Sequence, residues 1–226
     1  MNKKIFDLTN SPVEQRVMRF EAGSLEVRNA DEGKLPTLVG YAAKFDKRAN
    51  LGWYQEEIAA GAFAESLKRG DDVRALWNHS TSAPLGRRSA GTLRVSEDTI
   101  GLRVEIDLPQ TSAGRDVLES VTRGDVDGMS FGFRANRVEW QFDGEDEKND
   151  VRRLLEVDLI EVSPVTFPAY DDTEIGKRSA DAVRKELSQL ADVRSAANRP
   201  AVASVNVETL RLRHANRKRR YVTKNQ

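Results

Sequence analysis

Leu102, Val104, Ile106 and Leu108 alternate with Arg103, Glu105 and Asp107, the pattern of an antiparallel strand with one face buried and one face wet. Together with GTLRVSED before it, this stretch predicts a hairpin. SLEVRNA, TLVGYAAKF and WYQEEIA also read as strands, separated by the turn signals DEGK and DKRANLG. GAFAESLKRG predicts a short helix closed by Gly70. TSAGRDVLESVTRG predicts a second, with Ser112 as its N-cap, Val117, Leu118 and Val121 on one face and Gly124 past its end. DVRALWNH reads as a strand ending at His79, and TSAPLGRRSAG as a loop. A strand through GMSFGF, the acidic loop DGEDEKND and a long strand through RRLLEVDLIEVSPVTFPAY complete the pattern. Roughly seven or eight strands with two inserted helices, and no regular alternation of the two, predict a mainly β, α+β domain. The strands fit an antiparallel barrel or a sandwich.

The two ends differ from this body. Residues 1–22 lack clear periodicity and read as an N-terminal arm, ahead of a folded domain over residues 23–176. After DDTEIGK the pattern changes to a polar, helix-like VRKELSQLADVR and a basic run, RLRHANRKRRYVTK. Residues 177–226 carry 13 Lys and Arg against 4 Asp and Glu, leaving 23 against 32 for residues 1–176, although the whole chain sums to zero. An acidic body with a basic tail points to a flexible or cleavable interaction arm rather than a second core. No run approaches the roughly eighteen apolar residues of a membrane span, and no apolar segment follows the basic N-terminus as in a secretory signal. The chain has no cysteine and only two histidines, which excludes disulfides and thiolate sites and leads us to expect neither metal nor cofactor.

Three residues could carry chemistry. In GDVDGMSFGF, side-chain alternation places Met129, Phe131 and Phe133 on one strand face and Gly128, Ser130 and Gly132 on the other. One hydroxyl thus stands on an otherwise empty face, and glycine in a strand marks a close approach of backbone or ligand. GMSFG matches the G-x-S-x-G pattern of a nucleophile elbow, but that elbow needs a helix where FRANRVEW continues as strand. His79 follows Val73, Ala75 and Trp77 in phase and is the body's one histidine, hence its one ready general base. A structural hydrogen bond at a strand end would also account for it. His214 lies in the basic tail. By the same alternation Glu161 falls in phase with Leu155, Val157 and Leu159, where a carboxylate needs a donor, while Asp158, on the more polar face, is the reserve. Serine, histidine and carboxylate are the parts of a hydrolytic triad.

The segments GYAAKFD, GWYQEEIAAGAF, LWNHSTSAPLGR, GTLRVSEDTIGLRVEIDLPQTSAGRDVLESVTRGDVDGMSFGF and LIEVSPVTFPAY resemble, in that order, the prohead (capsid maturation) proteases of tailed bacteriophages, which are related in fold to the herpesvirus assemblins. The resemblance spans about residues 24–176. It implies a closed or nearly closed antiparallel β-barrel flanked by helices, assemblin-like, with His79 and Ser130 as catalytic histidine and nucleophile and Glu161 as the acidic third member. The assemblins use a histidine in that third place, and none follows Ser130 here before His214. What the resemblance implies is a serine endopeptidase inside the immature capsid, in the host cytoplasm, cutting the scaffolding segment from the major capsid protein and also itself. Homodimerisation is carried over from the assemblins. Arg87 in PLGR could assist an oxyanion hole or be a surface charge. The basic tail, with Tyr221 as its one aromatic, fits an acidic scaffold or capsid surface better than nucleic acid. The alternatives are a non-catalytic capsid or scaffold assembly protein binding through its tail, and a barrel hydrolase of small esters.

Overall fold

The computed structural model describes residues 2–19, 25–28, 36–166, 181 and 183–188. In chain order the elements are β1 (Asn2–Asp7), β2 (Glu14–Arg19), β3 (Glu26–Arg28), β4 (Thr37–Lys44), β5 (Ala49–Asn50), β6 (Gln55–Ile58), α1 (Ala64–Arg69), β7 (Arg74–Trp77), β8 (Ser80–Arg87), β9 (Leu93–Glu97), β10 (Gly101–Asp107), α2 (Ser112–Arg123), β11 (Gly128–Phe142) and β12 (Val151–Val165). The predicted hairpin is β9–β10, and its alternation is realised: Leu102, Val104, Ile106 and Leu108 are buried. Both helices end on a left-handed glycine, Gly70 and Gly124, the conformation glycine adopts without a Cβ penalty. The N-cap of α2 is Thr111 rather than Ser112, because the Thr111 side chain accepts the Gly114 N–H.

Two 15-residue strands, β11 and β12, pair antiparallel and form the spine of an eight-stranded sheet. One edge of β11 carries β1 along Arg137–Phe142 and β2 along Gly128–Phe133. The far edge of β12 carries β6 and β7, both parallel to it, and β8 pairs with β7. A second, four-stranded sheet has the order β3-β4-β10-β9. The fold is thus mostly β with few helices, as expected, but no pairing among the described residues joins the two sheets, so the hydrogen bonds do not close the expected barrel. Met129, Phe131 and Phe133 form the apolar face of β11, with Phe131 stacked on Phe133 at 5.1 Å and meeting Phe63 edge-on at 5.5 Å. No described helix is long and apolar enough to cross a membrane.

Residues 2–19, read as an arm without periodicity, form two strands of the main sheet. Their anchor is a buried charge cluster. Arg16 donates to Glu56 through Nε at 2.5 Å and through Nη2 at 2.9 Å, and to Glu14 at 2.6 Å. Arg152, fully enclosed, donates to Glu14, Glu56 and Glu186, the last two at 2.8 and 2.5 Å. Trp140 Nε1 adds a bond to Glu186 at 2.7 Å. Glu186 lies in the helical residues 183–188, in the segment read as tail, so the cluster ties arm, body and this helix together. The rest of the predicted tail lies outside the described residues. Burial alone would raise the Glu56 pKa, but Arg16 and Arg152 overcome it and hold the carboxyl below its ordinary value.

Removing one member strands the others without solvent, so Arg152→Ala is expected to lower unfolding free energy by about 3–5 kcal/mol, measured by urea denaturation. The depressed Glu56 pKa contributes stability that is complete above the ordinary carboxylate value of about 4.3 and is lost as pH falls below it. Glu56→Gln is expected to flatten the decline of stability with pH in that acid range.

Candidate active site

β7 and β8 pair with each other up to Trp77 and Ser80, leaving Asn78 and His79 as a two-residue turn. Both have left-handed backbones, with φ of +49° and +60°, as the tightest hairpin turns require. Asparagine tolerates this; a histidine there costs roughly 1–3 kcal/mol of strain unless its surroundings hold it. The end of β12 holds it. The Asn78 N–H donates to the Pro164 carbonyl at 3.1 Å, its side-chain amide donates to Thr166 Oγ1 at 3.1 Å, and Asn78 Oδ1 accepts the Thr166 N–H at 2.9 Å. The His79 N–H donates to Ser163 Oγ at 3.3 Å. Of TSAPLGRRSAG, read as a loop, TSAPLGR is therefore strand, and His79 is a turn residue rather than the last residue of a strand.

Glu161 owes its position to a bulge. Gly132 pairs with Glu161 but Phe133 pairs with Leu159, leaving Ile160 as an extra residue on β12. An extra residue reverses which face the following side chains take. Leu159 and Val162 therefore lie with Phe133 and Phe131, while Glu161 and Ser163 lie with Gly132 and Ser130. Simple alternation places Leu159 and Glu161 together; the bulge separates them. Glu161 reaches the serine's face, and Gly132 makes room for it. A Cβ on Gly132 would lie 2.7 Å from Glu161 Oε1 and 3.1 Å from its Cγ. That part of the empty face is filled by the carboxylate.

Glu161 Oε1 accepts from His79 Nδ1 at 2.7 Å, with both side chains about nine-tenths buried. Its other oxygen, Oε2, accepts from Ser163 Oγ at 2.6 Å. Ser163 thus bridges the carboxylate and the histidine backbone. With Nδ1–H committed to Glu161, a neutral imidazole presents the lone pair of Nε2. That nitrogen is enclosed and has no hydrogen-bond partner. Ser130 sits opposite Ser163 on the same face, fully buried, and its hydroxyl donates to the Arg16 carbonyl of β2 at 2.9 Å rather than to His79. The structure thus joins His79 with Glu161 and places Ser130 on their side of the sheet without a bond to the ring.

The reserve carboxylate, Asp158, pairs in register with Arg134, is bound by Arg69 and accepts from Asn136 Nδ2 at 2.7 Å. Arg87 is spent on Asp72, donating through Nε at 2.8 Å and Nη2 at 2.5 Å. Asn78, Ser163 and Arg16 escaped the sequence reading. Only Asn78 left a signal, as a residue suited to a left-handed turn beside the histidine.

A buried carboxylate that holds an imidazole through Nδ1 and shares a strand face with a serine provides the residue types of a hydrolytic triad. The chain belongs to the caudovirus prohead serine protease family, whose model matches residues 23–186. It is similar to the solved structure of the bacteriophage T4 capsid assembly protease, gp21, at a TM-score of 0.45 and 10% identity, covering 69% of this chain and 99% of that one. No curated protein matches the chain.

Because a Cβ at position 132 collides with the carboxylate, Gly132→Ala is expected to displace Glu161 and break its bond to His79. Proton NMR checks this: the downfield Nδ1–H resonance of His79 should vanish while the overall fold persists, at a cost of about 1–3 kcal/mol.

Proposed function

We propose that this chain is a serine endopeptidase that cuts the scaffolding segment from the major capsid protein during prohead maturation, and cuts itself. Ser130 is the nucleophile, His79 the general base and acid, and Glu161 the group that orients and charge-stabilises the imidazole. The observation that carries this reading is the bond between His79 Nδ1 and Glu161 Oε1 at 2.7 Å, which leaves Nε2 unpartnered, with Glu161 on the same strand face as Ser130. Family membership supports capsid maturation as the setting.

In the proposed reaction, Ser130 Oγ bonds to the scissile carbonyl carbon as its proton passes to His79 Nε2. The tetrahedral intermediate collapses with cleavage of the C–N bond, and the imidazolium returns that proton to the departing amine. Water then repeats the sequence on the acyl-serine and restores the free hydroxyl. Glu161 holds the imidazole in its tautomer and compensates the imidazolium in a site where water cannot. Before the first step the Ser130 hydroxyl must turn from the Arg16 carbonyl toward Nε2. That present bond is the observation favouring a second reading, a non-catalytic assembly protein built on the protease fold.

Incubation with the scaffold-bearing capsid protein, followed by mass spectrometry of the termini, separates the two. Parent protein should generate a new terminus that folded Ser130→Ala does not; equal processing by both would overturn the assignment. Glu161→Gln is expected to lower kcat by several orders of magnitude, consistent with loss of the acidic triad member. Asp158→Asn should leave kcat nearly unchanged. Ser163→Ala should lower kcat more than KM, because it loosens the carboxylate without touching the substrate.

A further inference from the structure

β2 lies where a protease of this design needs open space. Its residues pair antiparallel with Gly128–Phe133, with Val17 opposite Ser130, and the Arg16 carbonyl accepts the hydrogen bond of the Ser130 hydroxyl. Ser130 has no exposed surface and His79 Nε2 has no partner. The donor and the base that should share a proton are each diverted or idle, and the diverting group belongs to the arm. The family match begins at residue 23, so β2 lies outside the matched region. Were β2 absent, β11 would present an unpaired row of N–H and C=O groups beside Ser130, a template that an extended peptide completes by strand addition.

The anchoring of β2 is compatible with exchange. Glu14 and Arg16 enter the buried cluster from β2 with opposite charges, so their departure removes no net charge. Arg152 keeps Glu56 and Glu186 as partners when they leave. We propose that the β11 edge from Gly128 to Phe133 is the docking strand for the peptide substrate, bound extended and antiparallel, and that β2 holds this edge as a self-blocking strand until displaced. This rests on the reading of Ser130 as nucleophile.

The test inserts a cleavage site for an unrelated protease between residues 20 and 24 and cuts it after folding. Cleavage of a labelled peptide spanning the capsid-protein processing junction should rise about tenfold or more, as expected if the blocked state holds nine-tenths of the molecules or more. A synthetic peptide of residues 2–19 should then inhibit competitively against that substrate, and the same peptide with Glu14→Ala and Arg16→Ala should inhibit far less. In uncut Ser130→Ala protein, adding the substrate peptide should raise hydrogen exchange of amides 14–19 while amides 128–133 stay protected. No gain on cutting together with no competition would overturn the docking strand even if cleavage still requires Ser130. Competition by the arm peptide with cleavage that survives Ser130→Ala would keep the docking strand and overturn the nucleophile.

Discussion

The pairing of β11 with β12, and the one extra residue it absorbs opposite Gly132, governs the rest of the molecule. Before the bulge, β12 contributes Leu159 to the apolar face that Phe131 and Phe133 share. After it, Glu161 and Ser163 stand on the opposite face beside Ser130. A regular ladder would send Glu161 into the core, where an unpaired carboxylate is prohibitively costly. The same strand end then fixes the Asn78–His79 turn through Pro164, Ser163 and Thr166. Carboxylate and imidazole are thus both positioned by β12, one by its bulge and one by its end.

Two costs are accepted around this spine. The left-handed histidine is strained, and the hydrogen bonds that Asn78 makes to Pro164 and Thr166, with that of the His79 N–H to Ser163, offset the strain locally. The buried cluster of Glu14, Arg16, Glu56, Arg152 and Glu186 takes five charges out of water, which excellent geometry at best compensates. Its return is specificity rather than net stability: it fixes β2 in a single register along β11, with the Arg16 carbonyl at Ser130. A cluster that orders the arm beside the Ser130 hydroxyl matches the self-blocking role proposed for β2.

Much of this was legible in the sequence, for identifiable reasons. The alternation of Leu102 to Leu108 and the glycine stops at Gly70 and Gly124 follow local rules and appear as read. Ser130, His79 and Glu161 were selected by side-chain phase, and His79 and Glu161 do meet. Yet phase selected Glu161 by placing it with Leu159, and the bulge that separates them leaves no trace in local composition. The Asn78–His79 turn was missed because it lacks the glycine that usually marks such hairpins and Asn78 alone is a weak signal, so β8 read as loop. The strands of residues 2–19 were missed because Glu14 and Arg16 are buried charges, and their partners in the body, Glu56 and Arg152, lie 40 and 138 positions away along the chain. The closed barrel came from the family resemblance, and the two sheets do not show it.

The central claim is that the His79–Glu161 pair activates Ser130. Its most direct test is labelling to completion with a fluorophosphonate, which phosphonylates a serine only where a neighbouring base removes its proton, followed by peptide mapping. The account predicts one modified residue, Ser130, with labelling abolished by His79→Ala and strongly slowed by Glu161→Gln. Modification at Ser163 instead, or labelling of Ser130 that is indifferent to both substitutions, would contradict it.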